Sequence, residues 1–306
     1  MTNNAYTTQF RALMCPNCGA PVMTPPQGGQ YQCGYCRAVG SVGARMDAHV
    51  QRPPPSPADE QARIAKLRFQ KEQGQLASPY STFVAPQDVA HLAQLRPPHS
   101  WGPWLDAWKR AVAMLAQQPA PQNQQRVFWL VQLTGTGVLN LGSLDPTRAR
   151  AIRETALDLL PDPGHKHLIR CQLSRGACLQ HDLASAEQWL VGCDPYPGNI
   201  TLDTDYRMSI AFLHHSYGRW GAVLETLGNQ PGVIPIDFGR DFLTGLLRVH
   251  ALEELGYPQH ADGQLRWLFE EDKKMDSPIV LSILKSNAPL NLCRRTCARH
   301  AIQIPS

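Results

Sequence analysis

Ala211-Phe212-Leu213-His214-His215-Ser216-Tyr217-Gly218-Arg219-Trp220-Gly221-Ala222-Val223-Leu224 reads as one helix ending, a tight break and a second helix beginning. Glycine is the punctuation, because a helix ends most cheaply on a residue that tolerates the left-handed conformation. The layout returns in Ala251-Leu252-Glu253-Glu254-Leu255-Gly256-Tyr257. Working outward, breaks centre on Leu144-Asp145, His181-Asp182, Tyr217-Gly218 and Leu255-Gly256, and the markers Asp145, Asp182, Gly218 and Gly256 are spaced by 37, 36 and 38 residues. A small residue follows each marker, at Ala149, Ala186, Ala222 and Ala261, and leucines close the second helices at Leu157, Leu190, Leu224 or Leu227, and Leu268. Helical spacing extends back to Trp101, where Trp104, Leu105, Trp108, Val112 and Leu115 mark one buried face. Strand signals are scarce over this stretch, since no long run alternates β-branched with polar residues. The expected fold class is mostly α.

The spaced helix pairs resemble tetratricopeptide repeats, whose period is ~34 residues. The resemblance covers about residues 124–272, with a period a few residues longer and the helix-ending proline displaced or missing in several units. It implies an α-helical solenoid over residues 86–306, in which successive pairs share one core and curve around a concave groove that takes peptides or partner helices.

The N-terminus reads differently. Cys15-Pro-Asn-Cys18 and Cys33-Gly-Tyr-Cys36 each put two sulfurs on one tight turn, and fourteen residues separate the pairs. Two such pairs complete the four-thiolate shell of a structural Zn2+ site, with Cys15, Cys18, Cys33 and Cys36 as ligands. The gap accommodates a short β-hairpin, with turn residues in Thr24-Pro25-Pro26-Gln27-Gly28-Gly29. A thioredoxin-like redox pair would need one Cys-x-x-Cys inside a strand-helix-strand unit, a pattern that surrounds neither pair. Together with Gly19-Ala20-Pro21 and Tyr31-Gln32, the knuckles resemble the short zinc ribbons that open many bacterial multidomain proteins, over about residues 11–43. So short a segment cannot bury a sufficient core alone, so metal binding and folding are expected to be one event.

Between ribbon and helices, residues 44–85 read as a linker: Arg52-Pro53-Pro54-Pro55-Ser56-Pro57 is a polyproline-type spacer, and residues 59–72 form a polar helix with a thin stripe of Ile64, Leu67 and Phe69. That spacer suggests a ribbon tethered with freedom to move. The chain has 306 residues, 43% hydrophobic and 18% charged, enough for about two domains beside the ribbon. No stretch reaches transmembrane length; Val127-Phe128-Trp129-Leu130-Val131-Gln132-Leu133 fits a buried helix. No basic region leads into an apolar run at the N-terminus, and nine cysteines without a disulfide framework fit a reducing compartment, so a cytoplasmic protein is expected. The net charge is +4, with mildly basic ends: Arg11, Arg37, Arg45 and Arg52 against Asp47, and Lys285, Arg294, Arg295 and Arg299 after the last acidic residue. Neither end forms a dense Lys/Arg block.

The common catalytic patterns are missing. There is no P-loop, no His-Glu-x-x-His and no Gly-x-Ser-x-Gly, and Gly135-Thr136-Gly137-Val138-Leu139-Asn140-Leu141-Gly142 lacks dinucleotide spacing. His165-Lys166-His167 reads as an ordinary polar helix start, and His214-His215 as cations placed favourably at a helix end. Cys171, Cys178 and Cys193 read as core or loop. Cys293, Cys297 and His300 share one helix face and could hold a second metal with a fourth ligand from elsewhere, or form a buried stripe. The leading expectation is a non-catalytic adaptor whose ribbon and helical groove bind protein partners, with Tyr31, Tyr35, Tyr206 and Trp220 as candidate contacts. A nucleic-acid-binding role for the ribbon, and an enzyme whose site is scattered over the helices, are the alternatives.

Overall fold

The computed structural model describes residues 7–45, 53–73, 85–95, 99–135, 145–228 and 242–272. Four short strands come first: β1 (Arg11–Met14), β2 (Pro21–Thr24), β3 (Gly29–Gln32) and β4 (Val39–Val42). Ten helices follow in the described residues: α1 (Pro57–Glu72), α2 (Trp101–Gln117), α3 (Pro121–Gln132), α4 (Pro146–Leu159), α5 (Pro163–Leu179), α6 (Leu183–Val191), α7 (Ile200–Ser216), α8 (Trp220–Thr226), α9 (Phe242–Glu254) and α10 (Pro258–Asp272). The protein is therefore mostly α with a small β head. None of the described helices is long and apolar enough to cross a membrane.

Helix starts follow simple chemistry. Ser56, Asp145 and Asp162 each precede a proline, and each accepts an orphan amide of the first turn, from Asp59, Arg148 and His165. The proline fills the position whose missing N–H costs nothing.

The chain divides into two compact units, residues 1–59 with 66–206, and residues 60–65 with 207–306. In the first unit the core is aromatic and aliphatic. Trp101, Trp104 and Trp108 of α2 stack at 5.2 and 5.4 Å between centroids, and Trp104 Nε1 donates to the Leu130 carbonyl of α3 at 3.0 Å. Val127 through Val131 are all buried, as expected of a helix hydrophobic on every side. Of the stripe expected on α1, Leu67 is buried but Phe69 is more than half exposed.

Three helical hairpins share one turn. α5 and α6 meet at His181, α7 and α8 at Gly218, α9 and α10 at Gly256, and these three residues have φ of 57, 68 and 79°. After each, the next amide reaches back five residues: Asp182 to Ala177, Arg219 to His214 and Tyr257 to Leu252, at 3.0, 2.9 and 2.9 Å. This is the Schellman closure of a helix end. The following helix starts at once, and the residue four positions into it, Ala186, Val223 or Ala261, is fully buried. Ala149 occupies the same position after Asp145. The sequence spacing of 37, 36 and 38 therefore needs one correction. Asp182 lies one residue past the left-handed position that Gly218 and Gly256 occupy, and the buried position of the third unit is Val223, not half-buried Ala222.

A left-handed histidine carries a steric cost that glycine avoids. His181→Gly is expected to stabilise the protein by up to about 1 kcal/mol, and Gly218→Ala to destabilise it by about as much. Denaturant unfolding of the two variants checks this; an unchanged midpoint for His181→Gly would refute it.

In the second unit, α9 packs against both α8 and α10. Here His215 is buried, with Nε2 2.7 Å from Nδ1 of His250, and the Trp220 ring lies 5.2 and 4.9 Å from the two imidazoles. Burial, then the neighbouring His250, push the His215 pKa down to about 3, so it is a neutral core residue and not a helix-end cation.

Candidate metal centre

Each cysteine pair is the turn of its own hairpin. β1 pairs antiparallel with β2 around Cys15–Cys18, and β3 with β4 around Cys33–Cys36. The segment from Thr24 to Gly29 connects the two hairpins instead of turning a hairpin between the pairs, because the knuckle already reverses the chain. The knuckles are twins. Cys15 and Cys33 amides donate to the carbonyls of Ala20 and Ala38 at 2.9 and 2.8 Å, and Gly19 and Arg37 amides fold back to the Cys15 and Cys33 carbonyls. Gly19 and Arg37 both sit at positive φ, 74 and 62°.

The fold brings the four sulfurs together. Cys15 Sγ lies 3.6 Å from Cys36 Sγ, and Cys18 Sγ 3.6 Å from Cys33 Sγ, and all four sulfurs lie within 4.8 Å of one another. Two thiolates bound to one tetrahedral ion with bonds of about 2.3 Å stand about 3.8 Å apart, so this set can hold a metal ion. Cys15 and Cys33 are buried, and with Ala20 and Val22 they make the ribbon's small core. Without an ion, four thiols this close cannot all ionise. The Ala38 amide and then the Asn17 side chain pull Cys36 down to about 6. For Cys18 the Ala20 amide acts in the same direction, but burial and the other three sulfurs outweigh it and push the thiol up to about 12.

The ribbon is fixed to helices of its own unit. Gly19 packs against Leu105 of α2, where a β-carbon would meet Leu105 at 2.7 Å, and Lys109 donates to the Asn17 carbonyl at 2.7 Å. Strand β1 lies on α4. Ala12 N–H donates to Glu154 Oε1 at 3.2 Å and Met14 N–H to Thr155 Oγ1 at 2.8 Å. Around these bonds runs an ion-pair network. Arg150 and Arg45 hold the two Glu154 oxygens at 2.5 and 2.8 Å, Arg45 also reaches Asp158 at 2.8 Å, and Arg11 binds Asp158 and the Gly43 carbonyl. The Arg150 guanidinium also donates to the Phe10 carbonyl. The expected freely moving ribbon is thus corrected: its outer chain pairs with a helix.

A second cluster escaped the sequence reading. His167 and Cys171 on α5 meet Cys193, two residues past α6, and their ligating atoms lie within 4.8 Å of one another. All three are buried, at 3, 0 and 2% exposure. The one legible signal was the spacing of His167 and Cys171, four apart on a helix face; the partner 22 residues past Cys171 is supplied by the hairpin. Cys293, Cys297 and His300 lie outside the described residues. Of the candidate contact aromatics, Tyr35 is 77% exposed, Tyr31 is half-buried against the ribbon core, Trp220 meets His215 edge-on and His250 at a tilt, and Tyr206 packs 5.8 Å from the His167 ring.

No family model, no curated protein and no solved structure matches this chain.

Proposed function

We propose that this protein is a non-catalytic interaction scaffold, in which a zinc ribbon is mounted on an array of helical hairpins related to tetratricopeptide repeats. Four clustered thiolates suit Zn2+, and a closed four-sulfur shell leaves no position for substrate. One observation carries the reading. The first knuckle is occupied in docking, through Asn17 and Gly19, while the second carries Tyr35 and Val39 into solvent at 77 and 69% exposure. An aromatic held out on a rigid knuckle loses little entropy on binding, which suits it as a contact anchor.

A protein partner fits this surface better than nucleic acid. Of the three cationic side chains in residues 7–45, Arg11 and Arg45 are engaged by Asp158 and Glu154, which leaves Arg37. Phosphate recognition calls for a denser basic face.

Affinity capture from native extract, with and without nuclease, tests the proposal, using the full chain and its Tyr35→Ala variant as baits. The full chain is the right bait because the ribbon and α4 are interlocked. A protein retained despite nuclease and weakened about tenfold or more by Tyr35→Ala is the expected result. Capture abolished by nuclease would move the function to nucleic acid, and capture indifferent to Tyr35 would remove the knuckle from the interface.

A further inference from the structure

We propose that His167, Cys171 and Cys193 form a second metal site, taking a thiophilic d10 ion of the Zn2+ class, independent of the ribbon. The three side chains come from two segments, α5 and the chain just past α6, and converge where no water-facing surface requires polar groups. Cys171 and Cys193 sulfurs stand 3.9 Å apart, close to the 3.6 Å spacings of the ribbon and to the edge of about 3.8 Å expected for two thiolates on one tetrahedral ion. A disulfide would require about 2.05 Å.

The imidazole is oriented for this role. His167 Nε2 lies 3.2 Å from the Leu202 carbonyl oxygen, which can only accept, so Nε2 carries the proton. The lone pair is then on Nδ1. That lone pair now accepts a long hydrogen bond from the Asp194 N–H at 3.3 Å, on the segment that holds Cys193, and an ion bound at Nδ1 would displace it. A ligating histidine whose other nitrogen donates to a backbone carbonyl is the usual outer support of a protein metal site. Cys193 is itself held close, 3.7 Å from the His167 carbonyl. Two thiolates and one imidazole are a soft donor set that selects Zn2+ or Cu+ over Mg2+ and Ca2+.

The site has a clear structural consequence. The α5–α6 hairpin is closed at His181 by its left-handed turn, and a metal at the opposite end would tie the start of α5 to the residue that leaves α6. With three protein ligands among the described residues, the fourth corner can take one small molecule such as water, and the near-complete burial bars a larger substrate.

Metal content separates the possibilities. The full chain, purified under reducing conditions and dialysed against buffer without chelator, is expected to hold two zinc ions per chain by mass spectrometry of metals. Cys171→Ala, Cys193→Ala and His167→Gln are each expected to hold one, and Cys33→Ser, which damages the ribbon, is also expected to keep one. Titration of the metal-free chain with Co2+ gives a readout that needs no variant. Two phases are expected, the second with weaker sulfur-to-cobalt absorption, as suits two thiolates against four. A single metal in the full chain would overturn the proposal. So would two metals retained in both Cys171→Ala and Cys193→Ala, loss of the second metal in Cys297→Ala with Cys171 intact, or a Cys171–Cys193 disulfide in metal-free protein.

Discussion

Replacing Cys33 with serine is expected to lower the melting temperature of the helices in the first unit by roughly 10 °C, beyond unfolding the ribbon itself. A ribbon tethered with freedom to move, as the proline spacer suggests, would unfold alone and leave the helices untouched. The structure changes that expectation, because β1 is a shared wall. Ala12, Leu13 and Met14 are all buried, and their strand closes over α4. Fully burying a leucine or methionine contributes about 1.5–3 kcal/mol each. Losing both, with the bonds to Glu154 and Thr155, costs the helices several kcal/mol, and for a unit of this size each kcal/mol moves the midpoint by about 2–4 °C. The ribbon's own core is small, and in a metal-folded segment of this size the ion supplies most of the folding free energy, so the loss of one ligand is expected to unfold it. Helical ellipticity followed on heating, for the full chain and for Cys33→Ser, is the direct check. A variant whose helices melt at the parent temperature would show the two parts to be energetically separate. The point variant is preferred to a chelator, because a chelator would also strip any ion held by His167, Cys171 and Cys193.

The parts legible in the sequence were those fixed by local chemistry. Cys-x-x-Cys turns announce themselves because two sulfurs on one turn have few other uses, and the four cysteines do converge. Helical hairpins were legible from Gly218 and Gly256, since a left-handed residue is nearly compulsory at such a turn. The break at His181 was found by spacing alone, and the marker slipped by one residue because histidine stands where glycine would have signalled the turn. What stayed hidden depends on long-range packing. Arg150, Glu154 and Asp158 follow one another at four-residue intervals on α4, a pattern that ordinarily reads as a solvated helix face. Arg150 and Glu154 are instead 0 and 1% exposed, because a strand some 140 residues earlier in the chain lies across them. The histidines failed in the same way. Polar or cationic in the sequence reading, His165, His167 and His215 are all buried: His167 and His215 each have a ring nitrogen partnered, by the Leu202 carbonyl and by His250, and His165 packs on the Phe128 ring.

Removing the Glu154 carboxylate is expected to be the most costly substitution of a charged residue in the first unit, at about 3–5 kcal/mol for Glu154→Ala. The reason is what it abandons. Arg150 would keep a fully buried guanidinium without the Glu154 carboxylate, Arg45 would lose one carboxylate partner, and the Ala12 amide would lose its acceptor. Charge burial is tolerated here because each guanidinium meets a carboxylate and one further nitrogen of each donates to a carbonyl, at Phe10, Gly43 or Glu154 itself. Asp158→Asn should cost far less, about 1 kcal/mol, since Asp158 is 24% exposed and water can replace it around Arg11. A buried pair is often no more stable than apolar residues of equal volume, so Arg150→Met combined with Glu154→Leu should recover most of the loss seen in Glu154→Ala. Arg45 then retains Asp158. Urea unfolding of the four proteins decides the matter through the order of their midpoints. If the double variant were as unstable as Glu154→Ala, the network would be holding the ribbon on α4 through its hydrogen bonds to β1, which leucine cannot replace. If Glu154→Ala unfolded at the parent midpoint, Glu154 would not be a buried counter-ion at all, and the ribbon would not be seated on α4.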